Sequence, residues 1–398
     1  MPNAVEAKTK TVERIVLLVA GLCGCIGTTL ATALIDYKFN PSSTLRKYLT
    51  TENNEFSPSI FTPVENIAIA GWDISEKDIW FHLSQNGVLE DKVYKKYKKH
   101  LLGIPIIQPP RTDSSVKDRV DDLRRQIVEL KKKCDSTSAV FVNLLPAGQA
   151  FRYEHEGLED LYSKPAREVL PDLLYAIACL EEGIPIINFN SNSIAHPALI
   201  SLARKRKTPV CGSDGKTGQT YFKMVIASAI ASRRLYVDGW YSLNILGNSD
   251  GYNLSNPKNA ETKIKNKTGL LNQILGYNVG ENYPIASHVV RIDYYPPRGD
   301  SKEAWDVIDL KGIFDLPMSL RINFQGRDSI LAAPLVIDLC RWLVLMKRND
   351  LGGFCDDLAF YFKTPLGTKA PYSFDEQINS LKILSRKLSG GVPEGTKT

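Results

Sequence analysis

The sequence predicts an α/β protein in which a doubly wound parallel sheet carries a smaller β-rich segment inserted before the carboxyl end. Up to about residue 214, continuous apolar runs alternate with helical segments, an order typical of a parallel sheet with helices on both faces. From about residue 233 the runs alternate apolar and polar residues, which is typical of antiparallel strands with one covered face. A chain of 398 residues is also longer than one hydrophobic core usually grows, so we expect either two domains or one domain that carries a large insertion.

The parallel sheet is predicted from apolar runs that are each followed by a helix or a turn. The run RIVLLVA (14–20) is apolar throughout, as expected for a strand buried on both faces. Residues 38–64 are polar and irregular, so they interrupt the series. The predicted elements, in chain order, are strands at 14–20, 66–75, 139–146, 184–191 and 208–214 and helices at about 28–37, 76–88, 114–134, 169–183 and 197–207.

The later part of the chain is predicted to form antiparallel strands and then to return to the first sheet. The strands are expected in LYVDGWYSLNILG, SHVVRIDYYPP and PMSLRINFQG, and LAFYFKTP is expected to be a late strand or an extended segment. A helix should begin at Asp328. Because its apolar run contains Asp338 and Arg341, we interpret it as a core helix and not as a membrane span. The expected divisions are a nucleotide-binding domain (1–232), a catalytic and oligomerisation domain (233–333) and a return to the first domain (334–398).

Composition narrows the class of protein. Fifty basic and 44 acidic residues give a net charge of +6, too mild to imply a nucleic-acid partner but compatible with an anionic substrate. The seven cysteines include no CxxC pair and the five histidines have no ligand spacing. We therefore expect reduced thiols, a cytoplasmic location, no metal site and no membrane association. The charged start followed by an apolar run imitates a signal peptide, but the glycines that follow favour a strand, a turn and a helix.

Three glycines between the first strand and the first helix point to a cofactor. Gly21, Gly24 and Gly27 form the pattern GxxGxxG, which suits close approach of the backbone to a pyrophosphate at a helix amino end. Simple helix–strand packing would explain the same glycines. Asp73 ends the second strand, where an acid can bind an adenosine ribose. Together these features favour a Rossmann-like domain that binds NAD, since no arginine replaces the acid.

The turn GSDGKTGQT (212–220) imitates a phosphate-binding P-loop but lacks its first glycine, because position 210 is valine. What remains is a glycine-rich turn after a strand. Asp214 and Thr217 either cap the next helix or face a ligand at the sheet edge. The residues themselves leave both interpretations open.

Several short polar clusters lie at the ends of apolar segments. In GNSDGYNLSNPKNAETKIKNK (247–267), Lys263 and Lys267 are four residues apart and would share a helix face. A solvated lysine face would explain that spacing. The other clusters are Asn248 and Asp250 before these lysines, Asp300-Ser301-Lys302, Asp328-Ser329, and Lys363 in FYFKTP.

Four segments, in their order and spacing, resemble the myo-inositol-1-phosphate synthase family. They are GSDGKTGQT, LGNSDGYNLSNP with its lysines, GDSKEAWD and RDSILAAPLVIDL. The resemblance implies an NAD-dependent cyclase that converts D-glucose 6-phosphate to 1D-myo-inositol 3-phosphate. In that reaction C5 is oxidised, the C6 proton is lost, the enolate closes on C1, and C5 is reduced again. The resemblance further implies a homotetramer joined through the β-rich domain.

The resemblance also assigns roles to residues. Lys263 and Lys363 would transfer protons and stabilise oxyanions, while Lys267 and Lys302 would hold phosphate or assist there. Crowded lysines suit this chemistry because neighbouring ammonium groups favour a neutral amine. The implied catalytic set is Lys263, Lys267, Lys302, Lys363, Asp214, Asp328, Asn248 and Asp250. The implied cofactor-binding set is Gly21, Gly24, Cys25, Ile26, Gly27, Asp73, Asn143, Asp214, Thr217 and Asp328.

Two other functional classes would also use a nucleotide-binding turn. A simple sugar-phosphate dehydrogenase would release NADH, and a non-catalytic NAD-binding sensor would not depend on the lysines. The cyclase remains the leading prediction because ring closure gives all four lysines a task. Relative to the family pattern, the glycine loop GLCGCIG and the segment NFNSNS after the strand at 184–187 differ in composition, and both lie on the cofactor side.

Overall fold

The computed structural model describes residues 13–110, 114–148, 157–256, 269–285 and 287–390, without the side chains of residues 249 and 250. A seven-stranded sheet forms its centre, and all of its strand pairs are parallel. The predicted doubly wound sheet is thus confirmed. In the order in which they pair, the strands are β11 (Gly353–Phe354), β6 (Pro209–Gly212), β5 (Ile186–Asn188), β4 (Ser138–Asn143), β1 (Ile15–Ala20), β2 (Ile67–Trp72) and β3 (Ile106–Ile107).

The strand order reverses at β1, which pairs with β2 on one side and β4 on the other. Ala20 lies opposite both Trp72 and Asn143, so these three strands end level with one another. In open parallel sheets ligands bind at the carboxyl ends of the strands beside such a reversal. Every residue of β1 is fully buried, as its continuous apolar sequence predicts.

Helices cover both faces of this sheet. One face packs against α1 and α12 and the other against α5, α7 and α8. The helices are α1 (Cys25–Phe39), α2 (Ile79–Asn86), α3 (Asp91–Tyr94), α4 (Lys98–Leu102), α5 (Val116–Lys133), α6 (Leu158–Ser163), α7 (Pro171–Glu181), α8 (Pro197–Lys205), α9 (Gly218–Ser232), α10 (Ser249–Leu254), the helical residues 269–275 (α11), α12 (Asp328–Arg348) and α13 (Phe374–Leu388).

Helix α12 is a core helix, as predicted. Within the described residues it is the one helix whose length and apolar composition would also suit a membrane span, and 78% of its most apolar window is buried inside the protein. Two of its charged residues, Asp338 and Arg341, bind the irregular segment 38–66. Asp338 accepts hydrogen bonds from the backbone N–H of Thr50 (2.7 Å) and Thr51 (3.0 Å), and Arg341 donates to the carbonyl of Thr62 (2.9 Å).

A second, four-stranded sheet follows. It has the order β10 (Pro317–Gly326), β9 (Lys302–Lys311), β7 (Tyr236–Leu246), β8 (His288–Tyr294). One face packs on α9 and α11 through an apolar cluster that includes Ala227, Trp240, Leu271 and Ile308. These strands all fall within the segment expected to form a second domain, although the exact domain boundaries remain a prediction.

Two expectations for this second sheet were wrong. Strand β8 runs parallel to β7, not antiparallel, because the connection between them contains α10 and α11 and can cross over to the same end of the sheet. Strand β9 was missed altogether, because its start, GDSKE, reads as a polar cluster. Its buried residues nevertheless alternate along the strand, with Ala304, Asp306 and Ile308 facing α9.

Candidate active site

A cavity of about 280 Å³ opens at the carboxyl ends of β1, β4, β5 and β6. Its walls are loops that follow these strands, together with parts of the second sheet and of α12. Its lining consists of Gly21, Gly24, Cys25, Ile26, Gly27, Leu144, Leu145, Pro146, Ala147, Phe189, Asn190, Ser191, Asp214, Gly215, Thr217, Leu246, Asn248, Asn253, Asp328, Ser329 and Lys363.

The glycine turn brings backbone close to backbone at one end of the cavity. Gly21 has φ +86°, and a Cβ there would lie 2.9 Å from the carbonyl oxygen of Leu144. A Cβ on Gly27 would lie 2.4 Å from the carbonyl oxygen of Leu22. Helix α1 begins directly after Gly24, which makes no side-chain cap, and residues 24–27 at its amino end line the cavity. This arrangement suits an anion such as a pyrophosphate.

Asp73 lies next to this turn, at the end of β2. Its Oδ2 accepts a hydrogen bond from the backbone N–H of Cys23 (2.8 Å), and its Oδ1 accepts from that of Ser75 (3.0 Å). The position is the one where an acid binds a ribose hydroxyl in dinucleotide-binding folds. Burial, with a further contribution from Asp73, raises the pKa of the Cys23 thiol to about 12, so Cys23 stays protonated at neutral pH.

Lys363 and Asp214 form the first of two ion pairs at the cavity. The ammonium of Lys363 donates to Oδ1 of Asp214 at 2.7 Å. The backbone N–H of Lys363 donates to the carbonyl oxygen of Asp214 at 2.8 Å. The turn after β6 and the segment after α12 therefore hold each other through both main chain and side chains. Asp214 binds a lysine here instead of capping α9.

Lys302 and Asp328 form the second pair. Oδ2 of Asp328 accepts from the Lys302 ammonium at 3.1 Å, and Oδ1 accepts from the Thr217 hydroxyl at 2.9 Å. Burial tends to raise the pKa of Asp328, but the two nearby ammonium groups of Lys302 and Lys363 outweigh it and hold the pKa well below its usual value. Asp328 is therefore a carboxylate at neutral pH. Thr217 precedes α9 but makes no side-chain cap. Its hydroxyl donates to Asp328 instead.

A third polar cluster joins Asn248, Asp300 and Ser329. Oδ1 of Asp300 accepts from the Asn248 amide at 3.0 Å and from the Ser329 hydroxyl at 3.2 Å. Asn248 also caps α10 by accepting from the N–H of Gly251. Burial raises the pKa of Asp300. Asp300 was noted in the sequence as part of a polar cluster, but no role was expected for it.

Most of the predicted site residues come together. Ten of them line the cavity, namely Gly21, Gly24, Cys25, Ile26, Gly27, Asp214, Thr217, Asn248, Asp328 and Lys363. Lys302 lines a smaller adjoining cavity with Asp214, Thr217, Asp328 and Lys363. The side chain of Asn143 is only 1% exposed and lies behind the cavity wall. Lys263, Lys267 and the side chain of Asp250 lie outside the described residues.

Sequence reasoning missed other residues around the cavity. The loop residues Leu144, Pro146, Phe189 and Asn190 line it, and Gln219 lines the adjoining cavity. The available signal was position, since the first four lie at the carboxyl ends of predicted parallel strands and Gln219 follows another, and ligands bind at such ends. Among the described residues, no group of three or more histidine, cysteine, aspartate or glutamate side chains could hold a metal ion.

Comparison with known proteins identifies the family. A family model described as myo-inositol-1-phosphate synthase matches residues 218–329. The inositol-3-phosphate synthase 1 of Bacteroides thetaiotaomicron is 31% identical over 388 residues, covering 89% of this chain and 90% of that protein. The chain belongs to the inositol-3-phosphate synthase family. The inositol-3-phosphate synthase 1 of Oryza sativa subsp. japonica is 27% identical, covering 97% of this chain and 88% of that protein.

Solved structures support the same fold. The inositol-3-phosphate synthase of Caenorhabditis elegans superimposes with a TM-score of 0.84 at 21% identity, covering 98% of this chain and 88% of that one. A myo-inositol-1-phosphate synthase-related protein from Thermotoga maritima gives a TM-score of 0.75 at 22% identity, covering 96% of this chain and all of that one. The segment matched by the synthase family model contains Asn248, Asp300 and Lys302 and reaches Asp328 and Ser329.

Proposed function

We propose that this member of the synthase family converts D-glucose 6-phosphate to 1D-myo-inositol 3-phosphate with NAD as its cofactor. Membership of the family supports the overall reaction. The geometry of the cavity supports the division of labour, because a glycine-lined end suited to a dinucleotide faces an end that carries two lysine–carboxylate pairs.

The residues at the glycine end fit a dinucleotide. The backbone cradle at Gly21 and Gly27 would be filled by any side chain, and the uncapped start of α1 offers N–H groups to a pyrophosphate. Asp73 would accept a hydrogen bond from the adenosine ribose, which favours NAD over its 2′-phosphorylated form. When bound, NAD would accept a hydride from C5 of the sugar and return it later, so the net change is an isomerisation.

Lys363 is placed to act on the reacting carbons. Its ammonium lines the main cavity and is oriented by Asp214 at 2.7 Å. An ammonium in a site shielded from water stabilises an alkoxide or enolate oxygen, and a lysine can also carry a proton to or from such an oxygen. We assign Lys363 to the oxygen that gains charge when the C6 proton is lost. By resemblance Lys263, outside the described residues, would share proton transfer.

Lys302 and Asp328 serve the other end of the substrate. Lys302 lies in the adjoining cavity, near the amino end of α9 and its residues Gln219 and Thr220. A lysine and the first N–H groups of a helix suit a phosphate monoester. We therefore assign the sugar phosphate to Lys302, with Lys267 expected to assist. Asp328 orients Lys302 and, being ionised, keeps the site from carrying an excess of positive charge.

The observation that carries this proposal is the convergence of Lys302 and Lys363 on one cavity from positions 61 residues apart in sequence. The test is product analysis with D-glucose 6-phosphate and NAD. Inositol phosphate should form without a lasting rise in absorbance at the NADH band. Lys363→Ala should abolish turnover while NAD still binds, whereas Lys205→Ala, a change of an exposed lysine on α8, should leave turnover intact. Steady accumulation of NADH would indicate a dehydrogenase instead.

We also propose a cytoplasmic homotetramer. None of the cysteines in the described part of the chain forms a disulfide, which suits a reducing compartment. The face of the second sheet turned away from α9 exposes large apolar side chains, with Tyr241 39%, Val289 39% and Trp305 45% exposed. Contiguous apolar surface of this kind is typical of protein–protein contacts, and a second copy of the chain presents the same face.

A further inference from the structure

A buried carboxylate outside the predicted site organises two of the cavity walls. Asp172 is 2% exposed and is the second residue of α7. Its Oδ1 accepts hydrogen bonds from three side-chain amides, those of Asn143 (2.7 Å), Asn190 (2.6 Å) and Asn192 (3.0 Å). All three donors are neutral. The position in the first turn of a helix stabilises the negative charge, because the helix dipole favours an anion there.

The three asparagines connect Asp172 to the loop after β4 by hydrogen bonds. Oδ1 of Asn143 accepts from the backbone N–H of Leu145 (3.2 Å), and the Asn190 amide also donates to the Leu145 carbonyl (3.1 Å). Asn192 accepts from the N–H of Gly148 (2.8 Å) and donates to the carbonyl of Pro146 (3.1 Å). Residues 144–147 line the cavity opposite the glycine turn, so Asp172 fixes the wall that faces Gly21.

The same network reaches the carboxylate that holds Lys363. The backbone N–H of Asp214 donates to the carbonyl oxygen of Asn190 at 2.7 Å. The Asn188 amide donates both to the Ser213 hydroxyl (3.0 Å) and to the Asn192 carbonyl (2.7 Å). The strand end before the Asp214 turn is therefore tied to the asparagines that Asp172 orients. One buried carboxylate is therefore connected both to the 144–148 loop and to the turn whose Asp214 pairs with Lys363.

We propose that Asp172 is a positioning residue for cofactor binding and turnover, acting through Asn143, Asn190 and Asn192. It contacts neither cofactor nor substrate, and its role is to hold the 144–148 loop against the glycine turn. A charged acceptor makes stronger hydrogen bonds to amides than a neutral one does, and donors left without it in a buried site loosen the loop. This inference rests on the proposed binding of NAD in the cavity.

The primary test is Asp172→Asn, which keeps the shape but removes the charge and turns one oxygen into a donor facing Asn192. We expect the dissociation constant for NAD, measured by calorimetric titration, to rise on the order of tenfold, and turnover at saturating NAD to fall as well. Asn192→Ala, which loses the contacts to Gly148 and Pro146, should shift both quantities in the same direction by a smaller factor.

Asp338→Asn is the matched control. Asp338 is another fully buried carboxylate with three hydrogen-bond donors, but these come from Thr50 and Thr51 on the irregular segment. It should lower the melting temperature yet leave NAD affinity unchanged well below that temperature, where the protein is fully folded. If the wild type binds NAD and Asp172→Asn and Asn192→Ala bind it equally well, the role of Asp172 is overturned. If the wild type itself does not bind NAD, the proposed function fails first.

Discussion

At the scale of single residues, Asp328 links the two lysines that line the site. It accepts directly from Lys302, and the charges of both Lys302 and Lys363 lower its pKa. The Thr217 hydroxyl occupies its other oxygen. An ionised carboxylate at this point holds the Lys302 ammonium in one place. Without that partner the flexible lysine side chain would adopt several positions. Its negative charge also offsets the two ammonium groups before an anionic substrate arrives.

Asp328→Asn should therefore lower kcat on the order of a hundredfold, because a displaced ammonium no longer stabilises charge as it develops. Rates would be followed by the formation of inositol phosphate at saturating glucose 6-phosphate. Asp315→Asn is the control, since Asp315 lies on the exposed turn between β9 and β10 with φ 56°, a conformation that asparagine tolerates. Equal rates for the two variants would show that the Asp328 carboxylate has no role in turnover.

Gly21 has a backbone conformation that the glycine-lined end of the cavity requires. Its φ of +86° and the 2.9 Å approach to Leu144 leave no room for a side chain. Gly21→Ala should weaken NAD binding by at least tenfold and destabilise the fold by about 1–3 kcal/mol, measured by titration and urea unfolding. Gly87→Ala shares a left-handed φ of +62° but meets no atom within 4 Å, so it should cost stability without changing NAD affinity. Unchanged NAD binding in Gly21→Ala would contradict the assignment.

At the scale of elements, the parallel sheet could be predicted because each strand is a continuous apolar run followed by a turn. β1 and β4 and their helices lie within a few residues of their predicted positions. Strand β9 could not be predicted, because Lys302, Glu303 and Asp306 interrupt its apolar pattern. The alternation of its buried and exposed residues becomes visible only once α9 is known to cover one face of the sheet. The direction of β8 depends on the path of the long connection from β7, and tertiary packing sets that path.

The candidate site, like the fold, could be predicted only in part. Asp214, Lys302 and Asp328 were accessible because they lie in the motifs that carry the family resemblance. The resemblance also assigned a role to Lys363, which lies outside those four motifs. Asp172 was not accessible, because an acid in the first turn of a helix is ordinarily read as a favourable end charge. Only the fold shows that three asparagines from two other strand ends point at it.

The packing of α9 on the second sheet contains a buried cation that should respond to pH. Lys223 is 2% exposed, donates to the Ser242 hydroxyl (2.7 Å), and lies 3.1 Å from Nε2 of His288 and 3.8 Å from Asp306. Burial lowers the pKa of Lys223 from 10.5 to about 8, although Asp306 opposes the shift. Between pH 8 and 10.5 the unfolded chain binds more protons than the folded one, so stability rises with pH.

Urea unfolding across this pH range should show a gain of about 3 kcal/mol attributable to Lys223. Lys223→Met should lack that gain, while Lys205→Met, at an exposed position on α8, should retain it. The comparison uses the difference between each variant and the wild type at each pH, so contributions from other titrating groups cancel. Parallel curves for the wild type and Lys223→Met would show that burial does not shift the pKa of Lys223.

At the scale of the whole molecule, the uncovered face of the second sheet is the surface proposed to join subunits. Tyr241, Val289 and Trp305 lie on it at neighbouring strand positions. Trp305→Glu should shift the mass measured by light scattering from that of a tetramer toward smaller species, because a buried unpaired charge opposes association. Ile74→Glu, at a 78% exposed position after β2, should leave the mass unchanged. A monomeric wild type would refute the assembly outright.

The site draws on segments that lie far apart in the polypeptide. The ribosome makes the glycine turn well before Lys363, which lies 342 residues after Gly21. A nascent chain can thus complete much of its nucleotide-binding sheet before the lysine that completes the catalytic end has been synthesised. Prematurely terminated products that stop before Lys363 lack the lysine of one of the two ion pairs, and we expect them to be unable to close the sugar ring.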